Sequence, residues 1–221
     1  VNVSDAGAQG TIGAIHSCAV SADGRFVAFD SFDFNLVPGD VGGNCDVFVR
    51  DRLANHITRV SLSSGGVAAN DDSQDVSISD DGRLLAIVAY TKDPKGIALW
   101  DLQARKQVLE LESKPSDSVL TRSRALLSPN GRLLAVPTAQ DTIALLDAAT
   151  GAEQKKLESA KSLKPLKPPA MLYDLQFSPD STLVVAGLVE GIVGWDASSG
   201  ASRFAGRVGE DLACLSPPFE G

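Results

Sequence analysis

Short apolar runs alternate along this chain with polar stretches rich in Gly and Asp, in a pattern that returns four times. Phe26-Val27-Ala28-Phe29, Leu84-Leu85-Ala86-Ile87, Leu133-Leu134-Ala135-Val136 and Leu183-Val184-Val185-Ala186 are apolar on successive positions, not alternating ones. A strand covered on both faces reads that way, whereas a buried helix would be longer and less tightly bounded by Gly-containing turns. Each run follows one polar phrase. The phrase is Ser21-Ala22-Asp23-Gly24-Arg25, then Ser79-Asp80-Asp81-Gly82-Arg83, Ser128-Pro129-Asn130-Gly131-Arg132 and, in worn form, Ser178-Pro179-Asp180-Ser181-Thr182. Asp-Gly or Asn-Gly between β-prone segments predicts a two-residue type I′ turn joining a first strand to a second.

A further apolar segment in each unit ends in Asp: Val47 to Asp51, Ile97 to Asp101, Ile143 to Asp147 and Ile192 to Asp196. Four residues beyond each Asp stand Asn55, Arg105, Gly151 and Gly200. Asn and Gly accept the left-handed backbone that closes a short hairpin, and Arg105 is the misfit. Fourth strands follow, such as Ile57 to Leu62 and Gln107 to Leu111.

From Ser21 to Ser79, Ser128 and Ser178 the spacings are 58, 49 and 50 residues. Periods of roughly 40 to 50 residues holding several short strands mark the blades of a β-propeller. The expected fold is therefore all-β, a propeller of four-stranded antiparallel blades forming one domain over 1–221. Blade 1 is expected over 17–62, blade 2 over 73–111, blade 3 over 121–158 and blade 4 over 171–208. Residues 1–16 resemble an outermost strand and its crossover, and 211–221 the first strand of a further blade. That makes four complete blades plus fragments of a fifth. The opening on Val1 fits a chain trimmed from a longer reading frame, and unfinished blade edges predict self-association.

Trp100-Asp101 and Trp195-Asp196, each some twenty residues after the Ser-x-Asp-Gly phrase or its variant, resemble WD-repeat blades, although the Gly-His dipeptide usual before the first strand is missing. Blade 1 is similar instead to the TolB-type repeats of bacterial envelope and secreted proteins. It carries Asn35-Leu36-Val37-Pro38-Gly39-Asp40, then Asp46-Val47-Phe48-Val49-Arg50-Asp51, and later Ser73 and Ser79-Asp80-Asp81-Gly82-Arg83. The resemblance implies a propeller, and its TolB side implies a periplasmic or secreted location. It implies no particular activity, since such repeats serve many functions.

Composition narrows the partners. The net charge of -8 argues against a nucleic-acid binder, whose affinity rests on neutralising phosphates, and no apolar stretch is long enough to cross a bilayer. The Asp-rich first hundred residues hold 7 Lys and Arg against 13 Asp and Glu. Cys18, Cys45 and Cys214 are an odd count without CxxC spacing, indicating neither a zinc site nor a disulfide framework. Cys18 and Cys214 fall at matching inner-strand positions and are expected to face channel or core.

The second-to-third loops and blade crossovers vary, whereas the other turns are uniform, so the variable end is the expected binding end. Candidate partner-binding residues there are Asp33, Asp40, Asp71 and Asp72, with Lys161, Lys164 and Lys167 in the basic, proline-rich crossover. Asp40, Asn44 and Asp46 surround a Gly pair and form a partial Ca²⁺ loop by donor type, without the full spacing of an EF-hand. Otherwise no cofactor is expected. G-x-S-x-G, H-E-x-x-H, P-loop and G-x-G-x-x-G patterns are absent, and neither His16 nor His56 has a nucleophile near it in sequence. The expected function is a non-catalytic scaffold binding a protein or peptide. Two alternatives are the propeller portion of a larger hydrolase of prolyl-oligopeptidase type, and a Ca²⁺-stabilised envelope or secreted propeller.

Overall fold

A computed structural model describes residues 2–11, 15–40, 43–61, 72–89, 96–112, 125–139, 142–158, 172–189, 191–207 and 213–214. Among them the only regular elements are strands, in four antiparallel sheets. Blade 1 holds β1 (Cys18–Val20), β2 (Phe26–Ser31), β3 (Asp46–Asp51) and β4 (His56–Arg59). Blade 2 holds β5 (Ser73–Ile78), β6 (Leu84–Ala89), β7 (Gly96–Asp101) and β8 (Lys106–Glu112). Blade 3 holds β9 (Leu126–Leu127), β10 (Leu133–Ala139), β11 (Thr142–Asp147) and β12 (Glu153–Glu158). Blade 4 holds β13 (Leu172–Phe177), β14 (Leu183–Leu188), β15 (Gly191–Asp196) and β16 (Ser202–Arg207), followed by β17 (Ala213–Cys214). Within each sheet every strand pairs with its sequence neighbour, the antiparallel pattern of a β-propeller blade.

The repeated phrase closes each first hairpin, but by a different turn from the one its Asp-Gly predicts. Ser21 and Phe26 face each other, with the Ser21 N–H donating to the Phe26 carbonyl at 3.0 Å, so four residues fill the loop. Gly24 donates back to the Ser21 carbonyl at 2.8 Å, and the Asp23 carboxylate accepts from the Ser21 hydroxyl at 2.6 Å and the Arg25 N–H at 2.9 Å. Only Gly24 has positive φ, at 68°. This is a four-residue loop built on a type I turn and closed by one left-handed residue, and the Asp serves as its hydrogen-bond hub. Ser79 and Asp81 repeat the bonds at nearly the same lengths, and in blade 4 Ser181 takes the left-handed position with φ 62°.

The strand-end Asp residues likewise cap the other hairpins. Asp51 accepts from Leu53 and Ala54, Asp101 from Ala104, Asp147 from Ala149 and Thr150, and Asp196 from Ser198 and Ser199. Asn55, Arg105, Gly151 and Gly200 all have positive φ, the misfit Arg105 included at 52°.

The chain divides into two compact units, one of residues 1–114 with Asn130–Arg132, the other of 115–129 with 133–221. In the first, Ala28, Val47, Leu85, Ile87 and Trp100 belong to one buried cluster, and Phe29, Leu36, Phe48 and Ile57 form another. In the second, Leu145, Leu157, Leu175, Val184, Val193 and Trp195 share a core.

The chain ends differ from the repeat alignment. Residues 2–10 do not extend an outer strand. They bend into a small hairpin with Val3 opposite Gln9, and Asp5 accepts the outward-facing Ile57 N–H of edge strand β4 at 2.8 Å. Ala213 and Cys214 pair with Ala205 and Phe204 on the outer edge of blade 4, where the alignment places a first strand of another blade. Cys18 is exposed, not lodged in a core.

Candidate functional site: the loop end of blade 1

At the end of β2 the chain enters a long connection to β3, and two buried side chains fix it. Leu36 is 1 % exposed and packs in the cluster of Phe29, Phe48 and Ile57, where the Phe29 and Phe48 rings stack at 5.8 Å. Asp33 is buried too, taking the Ser31 hydroxyl on Oδ2 at 2.9 Å while its own N–H donates to Ser31 Oγ at 3.1 Å. A Cβ on Gly10 would run into the Asp33 carboxylate, so the N-terminal hairpin approaches this loop only because residue 10 has no side chain. Asn35 adds a bond from Nδ2 to the Gln9 carbonyl at 2.9 Å. A cleft of about 700 Å³ lies between that hairpin, residues 35–38 of the loop and strand β4.

The crossover into β1 is held by Asp30. Its Oδ1 accepts the N–H groups of His16 at 2.7 Å and Ser17 at 3.0 Å, and its side chain is fully buried. Oδ2 has no hydrogen-bond partner. Ser17 passes the connection to blade 2, its Oγ accepting the Val76 N–H at 3.1 Å. The His16 ring stays 52 % exposed and stands edge-on to Phe32 at 5.7 Å.

Cys45 and Asp46 return the chain into β3. The Cys45 N–H donates to Asp72 at 2.8 Å and its carbonyl accepts from Ser73 at 2.7 Å, which ties the next crossover to the same spot. Burial, helped by the carboxylates of Asp30, Asp72 and Asp46, pushes the Cys45 thiol up to about 12. Burial also raises the Asp46 carboxyl against the opposing pull of Ser61 and Arg59. Arg59 Nη1 lies 3.2 Å from Asp40 and 3.4 Å from Asp46. The pair proposed by sequence as Ca²⁺ ligands with Asn44 thus shares a guanidinium, which stands where a cation would.

Of the acidic residues read from sequence as partner contacts, Asp33 and Asp40 turn inward and Asp72 is tied to the backbone. Asp33 supports the loop, the Asp40 side chain is only 3 % exposed, and Asp72 holds Cys45. Asp71, Lys161, Lys164 and Lys167 lie outside the described residues. The groups that do face solvent here are Ile15, His16, Phe34 (50 % exposed), Pro38 and Gly39. Sequence reasoning missed them because it weighed charge. The signal was Phe32 and Phe34 flanking an Asp in a polar loop.

A second concavity of about 420 Å³ lies at the hairpin end between blades 1 and 2, lined by Arg25, Phe26, Asp51, Trp100 and Arg105 among others. Within it Arg25 pairs with Asp51 at 2.7 Å and its guanidinium sits 4.7 Å over the Phe26 ring. These are the repeat's own turn Arg, strand-end Asp and strand aromatics, which the turns and core already require.

Proteins of known family offer no further guide: no family model matches the chain, and no curated protein is significantly similar to it. Among the described residues no helix is long and apolar enough to cross a membrane.

Proposed function

We propose that this chain is a non-catalytic β-propeller scaffold of the WD-repeat and TolB-like kind, which binds a protein or peptide through the loop end of blade 1. The observation that carries this reading is a contrast. The hairpin end uses the same turns in every blade, centred on Asp or, in blade 3, on Asn130. The loop end of blade 1 presents Phe34 to solvent on a loop anchored by Leu36 and Asp33, and Ile15 beside it on a crossover held by Asp30. An exposed aromatic on a rigid support is a typical binding anchor, because little conformational freedom remains to be lost on association. The cleft beside residues 35–38 gives an extended segment somewhere to lie.

The test is selection of peptides from a displayed library on the intact protein, followed by affinity measurement on two variants. Phe34→Ser should weaken the selected peptides at least tenfold. Leu53→Ser, at the most exposed large apolar side chain among the described residues and on the hairpin end, should leave them unchanged. Loss on Leu53→Ser with retention on Phe34→Ser would refute the assignment.

A further inference from the structure

Three residues far apart in sequence converge behind the loop end. One nitrogen of His16, one carboxylate oxygen of Asp30 and Sγ of Cys45 all lie within 4.8 Å of one another. They come from three elements: the crossover into β1, the end of β2 and the residue before β3. No spacing rule in the sequence links them.

The state of Asp30 points to a ligand. The carboxylate is fully buried, Oδ1 is spent on two backbone N–H groups, and Oδ2 has no hydrogen-bond partner. A buried carboxylate oxygen without a donor is costly unless a cation answers it. Neighbouring charge has the same sign: the Asp30, Asp72 and Asp46 carboxylates all act on the Cys45 sulfur. Arg59, the basic group nearby, is engaged with Asp40 and Asp46.

We propose that His16, Asp30 and Cys45 form a binding site for a zinc-class divalent cation. Imidazole, carboxylate and thiolate together are the donor set of a borderline-soft ion, and a hard cation such as Ca²⁺ would leave the sulfur unused. Ligand atoms around a tetrahedral zinc stand about 3.3–3.8 Å apart, given bonds of about 2.0–2.3 Å. The exposed His16 ring, whose Nδ1 is 4.0 Å from Asp30 Oδ1, closes the remaining distance by turning. Its exposure also gives the ion an entry path to two otherwise buried ligands. The charges balance, since Asp30 and the Cys45 thiolate neutralise the dication. Binding breaks the S–H bond, forms the metal–sulfur bond and releases one proton to solvent. The second shell is in place: the two N–H bonds to Oδ1 orient Asp30, and the Phe32 edge limits the His16 ring. The ion would clamp the crossover into β1 to strands β2 and β3, independently of what the loop end binds.

Co²⁺ tests this on the chelator-stripped full chain. One equivalent should produce a thiolate-to-cobalt charge-transfer band in the near ultraviolet, visible d–d bands of tetrahedral intensity and release of one proton. Zn²⁺ should displace it and raise the melting temperature. His16→Ala, on an exposed side chain, should weaken Co²⁺ binding at least tenfold without changing the metal-free melting temperature. Asp30→Asn, which keeps an oxygen for the two N–H groups, should weaken binding similarly. Cys45→Ser should abolish the charge-transfer band and Cys18→Ser should not. Should Cys45→Ser fail to fold, the His16 and Asp30 variants still decide. Absence of the band, or a band that survives both His16→Ala and Asp30→Asn, overturns the proposal.

Discussion

Arg105 shows how strongly a repeat can dictate the backbone of a single residue. It stands where Asn55, Gly151 and Gly200 stand in the other blades, and it adopts their left-handed conformation at φ 52°. That conformation costs an ordinary L-residue roughly 1–2 kcal/mol. The cost is tolerated because Asp101 accepts the Ala104 N–H at 2.8 Å and the Asp101–Lys106 register closes the same four-residue loop. Arg105→Gly should therefore stabilise the protein by about 1 kcal/mol, the strain relief being partly offset by greater freedom of the unfolded chain. Denaturant unfolding reads this directly: a higher midpoint at constant slope is the expected result, and a lower midpoint contradicts the strain account.

At the scale of elements, the strands of the four blades were legible in the sequence, but the two chain ends were not. Apolar runs on successive residues, Ser-x-Asp/Asn-Gly before them and Asp at the end of the third strand suffice to place blades. The turn chemistry was legible only in part. Asp-Gly suggested a two-residue turn, but the Asp23 side chain bonds both Ser21 and Arg25 and so stabilises a longer loop. The site was least legible. His16, Asp30 and Cys45 are separated by 14 and 15 residues and meet only because three antiparallel connections end at one place. Equally hidden was Leu36, one of several apolar residues in the loop, which becomes the buried pin that holds that loop to blade 1. Leu36→Ala should cost about 2–4 kcal/mol, the usual range for emptying a buried leucine site. Limited proteolysis should then cut within 32–40 before the rest of the chain opens. Uniform loss of protection would instead mean that the loop and blade 1 unfold as one.

Across the whole molecule, the carboxylates of the hairpin turns tie stability to acid pH. Asp51, bonded through its side chain to Arg25 and by the Leu53 and Ala54 amides, is held down to about 2 despite some burial. Asp23, held chiefly by Ser21, and Asp180, held chiefly by Ser178, also lie below the usual carboxylate range. So do Asp101, through the Ala104 amide, and Asp147, through Thr150. Groups whose folded pKa is depressed contribute stability above their unfolded pKa of about 4, and that contribution is lost as pH falls through the folded value. Melting temperature should thus be flat between about pH 5 and 9 and fall between about pH 4 and 2. Asp51→Asn should lower it at neutral pH and flatten the acid slope. Cys45 acts at the other extreme. In the metal-free protein its thiol, raised to about 12, stays protonated in the fold while an unfolded thiol ionises near 9, so stability declines as pH rises from about 9 to 12. Cys45→Ser should remove that alkaline decline.

We propose that the partner meets the loop end of blade 1 and not the repeated hairpin end. Amide hydrogen exchange of the full chain with and without a library-selected peptide tests it most directly. Binding should slow exchange at residues 15–17 and 32–40 and leave 22–25 and 52–55 unchanged. Protection confined to 22–25 and 52–55, with 32–40 unaffected, would contradict the account.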